Sequence, residues 1–272
     1  MNKIISGPLL RKEISSGLFS MLQCFLIAAL LLFAALMLYP QVAASTLMEM
    51  LRELSEAFPK DILNQFGLQS IPDLTLFQTY FSFIMQTMLI LLCVYAACRG
   101  CAALIKSESN SDIALIYAQP VSRTAIVLAK FAAQAVLLLF LNALIYVASY
   151  LLCQSGGEDA AAIIPSLWRL FLVLYFIELT YLCIGLFLSA FLNHRNQASA
   201  CGVALFITTF LLGAFGSSIP AVGFMAWLSP YHYCGVEQIL SGGLLFPWIL
   251  PVISALFIVF AALRYQTKDM SL

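Results

Sequence analysis

Thirteen lysines and arginines punctuate this chain of 272 residues, and the runs between them are long and nearly free of charge. Ile14–Met48, Leu74–Cys98, Phe131–Gly157 and Gln238–Leu263 carry almost no fixed charge, and neither does Asn196–Glu237 away from its ends and His232. Each run exceeds the roughly 20 apolar residues that a helix needs to cross about 30 Å of hydrocarbon. A soluble domain cannot hide that much apolar surface. With 10% charged residues, against about 25% in a soluble domain, the chain reads as an all-α, multi-pass membrane protein.

Six spans are expected, at about 18–39, 75–98, 124–152, 165–192, 197–218 and 244–263. The first is too long for a secretory leader, whose apolar core runs roughly 7–15 residues. Basic residues beside a span resist translocation, and this sets the orientation. With the N-terminus in the cytoplasm, the inner side holds Lys3, Arg11, Lys12, Arg99, Lys106, Arg123, Lys130, Arg195, Arg264 and Lys268. The outer side then holds Arg52 and Lys60 in a loop made acidic by Glu49, Glu53, Glu56, Asp61 and Asp73, and Arg169 lies near an interface. Both termini are therefore expected in the cytoplasm.

The organisation expected is a cytoplasmic interfacial helix over 1–17, a transmembrane domain over 18–263 and a cytoplasmic tail over 264–272. In the first of these, Leu10, Ile14 and Leu18 share a helical face while Arg11, Lys12 and Ser15 lie off it. That pattern suits a helix lying along the inner leaflet, and Glu13 belongs to the same segment. Residues 40–73 are long enough for an external loop with a helix over Ser45–Phe58. Residues 219–243 are too apolar for a solvated loop. They are expected as a re-entrant or interfacial element, because irregular backbone cannot face lipid unpaired. Its Trp227, Tyr231 and Tyr233 suit the headgroup level, next to Ser229, Pro230 and His232.

Enzymatic chemistry finds little support. His194 and His232 fall on opposite sides of the membrane, so no histidine pair can hold a metal, and no Gly-x4-Gly-Lys-Ser/Thr loop is present to bind ATP. Gly185-Leu-Phe-Leu-Ser189 lacks the flanking pattern of a nucleophile elbow. Cys93, Cys98 and Cys101 match one iron–sulfur spacing without a fourth ligand nearby. Cys153 and Cys234 fall near external segments, where a disulfide is one option. Glu178 is the acid placed well inside a span, and a lone buried carboxylate must face the bundle, a partner or an aqueous path. It is either an ion or proton site or a helix-joining hydrogen-bonding residue with Asn142 as partner. Zero net charge gives no bulk attraction to nucleic acid.

Between the second and third spans, the cytoplasmic loop 99–123 contains a short amphipathic element. Ser109 and Asp112 can cap a helix N-terminus, Ile113, Ile116 and Tyr117 then line one face, Pro120 stops the turn and Ser122 caps the next helix. Such an element is a handle on which a soluble protein can push.

The acidic Ser107–Asp112 stretch, the Gln119-Pro-Val-Ser-Arg123 turn and Lys130 resemble the cytoplasmic loop of ABC-2-type transporter permeases. So do Leu9-Leu-Arg-Lys-Glu13, Leu228-Ser-Pro-Tyr-His-Tyr233 and the closing Tyr265-x-x-Lys-Asp269, in order along the whole chain. The resemblance implies a six-helix half-transporter that pairs with a copy of itself or a sister permease in a bacterial cytoplasmic (inner) membrane. It implies two cytosolic ATPase subunits beneath, which carry ATP and magnesium while this chain binds no cofactor. Docking would use Glu108, Asp112, Ile113, Ile116, Tyr117, Gln119, Pro120 and Arg123, with the interfacial residues Leu10, Arg11, Lys12, Glu13 and Ile14. Most such relatives export peptides, drugs or lipids. Two other readings stay open: an ATP-independent carrier that works through Glu178, and a non-transport immunity or sensor subunit.

Overall fold

The computed structural model describes residues 7–44, 76–108, 123–155, 157–192, 194, 196–218, 220–241 and 247–267. Six long helices make up most of it: α1 (Gly7–Ala44), α2 (Phe77–Glu108), α3 (Arg123–Ser155), α4 (Ile164–Ser189), α5 (Asn196–Ser218) and α6 (Ile249–Gln266). All six are long and apolar enough to cross a membrane, and no strand occurs among the described residues. The six expected spans are all present.

Their ends differ from the charge boundaries. α2 does not stop at Cys98 but runs ten residues further, to Glu108. Arg99 does not end the helix, because its guanidinium turns sideways to Gln134 of α3 and the next turns bury Cys101, Leu104 and Ile105. The expected loop 99–123 is thus helical over 99–108, and residues 109–122, with Asp112, Ile113, Ile116, Tyr117, Gln119 and Pro120, lie outside the described residues. So do 45–75, with the helix expected over Ser45–Phe58. α1 is also longer than expected. Gly7–Ala44 is one continuous helix, so the expected interfacial helix is no separate element. Its 38 residues extend about 57 Å, beyond the roughly 40–45 Å of a whole bilayer.

α4 is the central helix. Leu167, Leu170, Leu174, Ile177, Tyr181, Leu182 and Leu186 are buried all along its length, as expected of a helix enclosed by others. α2 crosses it closely: a Cβ added at Gly100 would meet the Leu182 carbonyl and the backbone of Gly185 and Leu186, and one added at Gly185 would meet the Ala97 carbonyl and Gly100. Small residues at such a crossing let two backbones approach. Here Ser189 Oγ accepts the N–H groups of Leu104 at 3.2 Å and Ile105 at 3.4 Å. On the other side of α4, Thr180 and Ser254 hydroxyls lie 3.0 Å apart and tie α4 to α6.

After α5 the chain turns back. A 3₁₀ segment, Pro220–Leu228, is followed by a short one, Pro230–Tyr233, and Ala226 backs onto Gly216 so closely that no side chain fits at 216. The Tyr231 ring then meets Phe206 at 6.0 Å and Phe210 at 5.3 Å. Those residues lie about 18 and 12 Å back along α5 from Ser218, so the segment descends roughly halfway into the bundle. This segment stands where a re-entrant or interfacial element is expected before the last span.

Candidate functional site

The alternation of the six helices brings the N-terminal ends of α1, α3 and α5 together with the C-terminal ends of α2, α4 and α6. Arg11, Lys12, Arg99, Arg123, Lys130 and Arg264 all belong to this basic end. Lys130 lies two turns into α3 and is 1% exposed. A bare ammonium cannot stay buried without partners, and Lys130 has two from different helices. Its Nζ forms an ion pair with Glu13 Oε1 of α1 at 3.3 Å and donates to the carbonyl of Ala103 in α2. One turn deeper, Arg99 Nε donates to Gln134 Oε1 at 3.0 Å. At the mouth of α3, Arg123 Nη1 donates to the carbonyls of Tyr265 and Gln266, at 3.4 and 3.0 Å. These are unsatisfied carbonyls of a helix C-terminus, where a cation is favoured by both hydrogen bonding and the helix dipole.

Of the residues expected to dock a partner, Arg123 is therefore placed at the junction of α3 and α6, and Glu108 is the last residue of α2. In α1, Arg11 and Lys12 are exposed, while Leu10 and Ile14 are half-buried. The packed face of α1 is not the Leu10–Ile14–Leu18 face. Leu18 is exposed, and the inward line runs through Glu13, Gly17, Met21, Cys24 and Ala28. Glu13 sits on that line at four-residue spacing from Gly17. The same spacing in the sequence could have singled it out as an inward acid needing a buried cation.

The second polar feature lies at mid-length of the bundle. Asn142 of α3 donates its Nδ2 to Glu178 Oε2 of α4 at 2.7 Å and to the Leu138 carbonyl at 3.1 Å. Both neighbours are acceptors, which fixes the orientation of the amide. Glu178 is fully buried and Asn142 nearly so. Among the described residues no Lys or Arg pairs with Glu178, and Asn142 Oδ1 and Glu178 Oε1 are left without a hydrogen-bond partner. The Asn142 bond that one of the two readings of Glu178 requires is present.

In the re-entrant segment the expected residues split. Trp227 and His232 are exposed, whereas Ser229, Pro230 and Tyr231 are buried. Tyr231 is no headgroup-level aromatic: its hydroxyl donates to the Gln86 carbonyl of α2 at 3.1 Å. Trp168 and Trp248 share the exposed position of Trp227 at the end opposite the basic one, as in an interfacial aromatic belt. Removing the hydroxyl by Tyr231→Phe is expected to cost about 1 kcal/mol, read as a small drop in melting temperature in detergent. An unchanged melt would show that the Gln86 bond adds nothing.

The eight cysteines are free, Cys153 and Cys234 included. Cys93 faces the main core, while Cys101 joins a separate cluster with Ala198 and Cys201, so the iron–sulfur spacing does not converge on one point. No group of His, Cys, Asp and Glu able to hold a metal occurs among the described residues. The polar groups at the basic end and bundle centre hold helices together.

No curated protein and no solved structure matches the chain. The family model of the ABC-2 family transporter proteins matches residues 8–270, from the second residue of α1 to beyond the end of α6. With six apolar helices in that span, the chain belongs to the ABC-2 transporter family.

Proposed function

We propose that this chain is the permease subunit of an ATP-driven exporter, with the basic end and both termini in the cytoplasm. A separate cytosolic ATPase docks on the loop 107–121, two copies serve a pair of permeases, and the second permease is this chain again or a sister. The cargo is amphipathic, such as a peptide, drug or lipid. Membership of the transporter family carries this reading. Its support in the molecule is the basic end, where the two helices that flank 109–122, α2 and α3, are joined by Arg99 and Gln134, and α3 is joined in turn to α1 through Lys130 and to α6 through Arg123. The positive-inside rule assigns that end to the cytoplasm. A loop set between helices joined in this way passes on a push instead of absorbing it, and a bistable bundle converts that push into opening on the far side.

The docking assignment is tested by Ile116→Asp and Tyr117→Asp, each of which places an unpaired charge in an apolar contact. Either is expected to weaken retention of the ATPase on a tagged permease by about tenfold or more, equivalent to roughly 1.4 kcal/mol, with membrane insertion unchanged. Full retention by both variants would show that the ATPase docks elsewhere.

A further inference from the structure

Glu13, Lys130 and Ala103 lie on α1, α3 and α2, and one helical turn further into the bundle the same three helices meet again. Gly17 is four residues on from Glu13, Gln134 four on from Lys130, and Arg99 four back from Ala103. At this second level Arg99 holds Gln134, and a Cβ on Gly17 would meet Arg99 Nη2 at 2.8 Å as well as Leu137. The repeat is a two-layer polar clamp. Its outer layer sits about 8 Å inside the end of α2 and about 10 Å inside the start of α3.

From this geometry we infer that Lys130 is a positioning residue, which makes α1 move with the helix pair α2–α3 when the ATPase pushes on the cytoplasmic end. The inference rests on the permease reading above. Three observations carry it. First, Lys130 is buried and spends its ammonium on two other helices. A buried ion pair contributes little net stability compared with an apolar replacement, so stability alone does not account for a lysine here. Second, beyond Gly17 and as far as Leu32, α1 is held by a narrow apolar line, Met21, Cys24, Ala28 and Leu32, while Phe19, Leu22, Leu26, Ile27, Leu30 and Leu31 face outward. Third, the acceptor on α2 is a backbone carbonyl in its last turns, next to the N–H groups that Ser189 accepts. Displacement of that segment is therefore felt directly by Lys130. Its flexible four-carbon stem keeps both bonds through small shifts.

The test uses the permease–ATPase complex in nanodiscs, with hydrogen exchange followed by mass spectrometry without nucleotide and with ATP plus vanadate. In the wild type, nucleotide is expected to change exchange at the basic ends of α1, α2 and α3 together. In Lys130→Met the response of α1 residues 7–16 falls about fivefold or more, while α2 and α3 still respond and the ATPase stays bound. Lys130→Arg, which keeps charge and donors, restores most of the α1 response. If Lys130→Met does not assemble, Glu13→Gln removes the charge at similar size and is expected to uncouple α1 in the same way. An α1 response as large as wild type in these variants, or a wild-type response confined to α2 and α3, would overturn the inference while leaving the permease reading intact. A wild type that binds no ATPase would overturn both.

Discussion

A single methyl group at Gly100 or Gly185 is expected to destabilise the protein strongly for its size. The two glycines face each other where α2 crosses α4, and the atoms an added Cβ would meet are backbone, not flexible side-chain ends. No rotamer change relieves the overlap, so the helices must separate. Separation strains the bonds from Leu104 and Ile105 to Ser189 and opens the packing of Leu182 and Leu186. Overpacking of this kind costs about 1–3 kcal/mol, which lowers the melting temperature of a chain this size by roughly 6 °C. Gly223→Ala is the control, because the nearest atom to its new methyl group would be 3.9 Å away; its melt is expected to match wild type. A Gly100→Ala protein that also melts like wild type would refute the close crossing.

The second large effect concerns the bundle centre. Asn142→Ala takes from Glu178 its partner among the described residues and leaves a fully buried carboxyl group unpaired. Stranding such a group costs about 2–4 kcal/mol. Glu178→Gln should do the opposite. A glutamine amide can donate to the orphaned Asn142 Oδ1 while its oxygen still accepts from Asn142 Nδ2, so both atoms now lacking partners are satisfied. The variant is expected to melt at or above the wild-type temperature and to keep any ATP-driven flux. Replacing both residues by apolar ones of similar size, Asn142→Leu with Glu178→Met, should recover most of the loss from Asn142→Ala, since removing both partners avoids the orphan. Loss of transport in a stable Glu178→Gln protein would favour the carrier reading, in which the carboxyl group must exchange an ion or proton.

What the sequence made legible follows from the physics of each feature. The six spans could be read because hydrocarbon imposes a length and excludes charge, and both are local properties of the chain. Charge alone misplaces the helix ends. Arg99 ends the apolar run but not α2, because a long cationic side chain can find Gln134 on another helix. Asn142 and Glu178 could be paired in advance as polar residues inside spans that had to meet something. The Glu13–Lys130 pair is not legible, because charges near span ends mark orientation and a buried partner 117 positions away leaves no local trace. The same holds for Gly100 and Gly185, whose closeness depends on a helix crossing. Residue type alone suits Tyr231 to the headgroups, whereas its place beside Gln86 follows from the turn-back after α5.

On the permease proposal, this transporter-family chain works as one half of a machine whose motor is a different polypeptide. The most direct test is purification of the tagged protein from its own host in mild detergent with native lipid retained, followed by mass spectrometry of what accompanies it. A P-loop ATPase at one copy per permease is the predicted result, and its company would also show whether the second permease is a copy of this chain or a sister. A stable, lipid-bearing preparation with no ATPase would contradict the claim and shift the function to a chain that works alone.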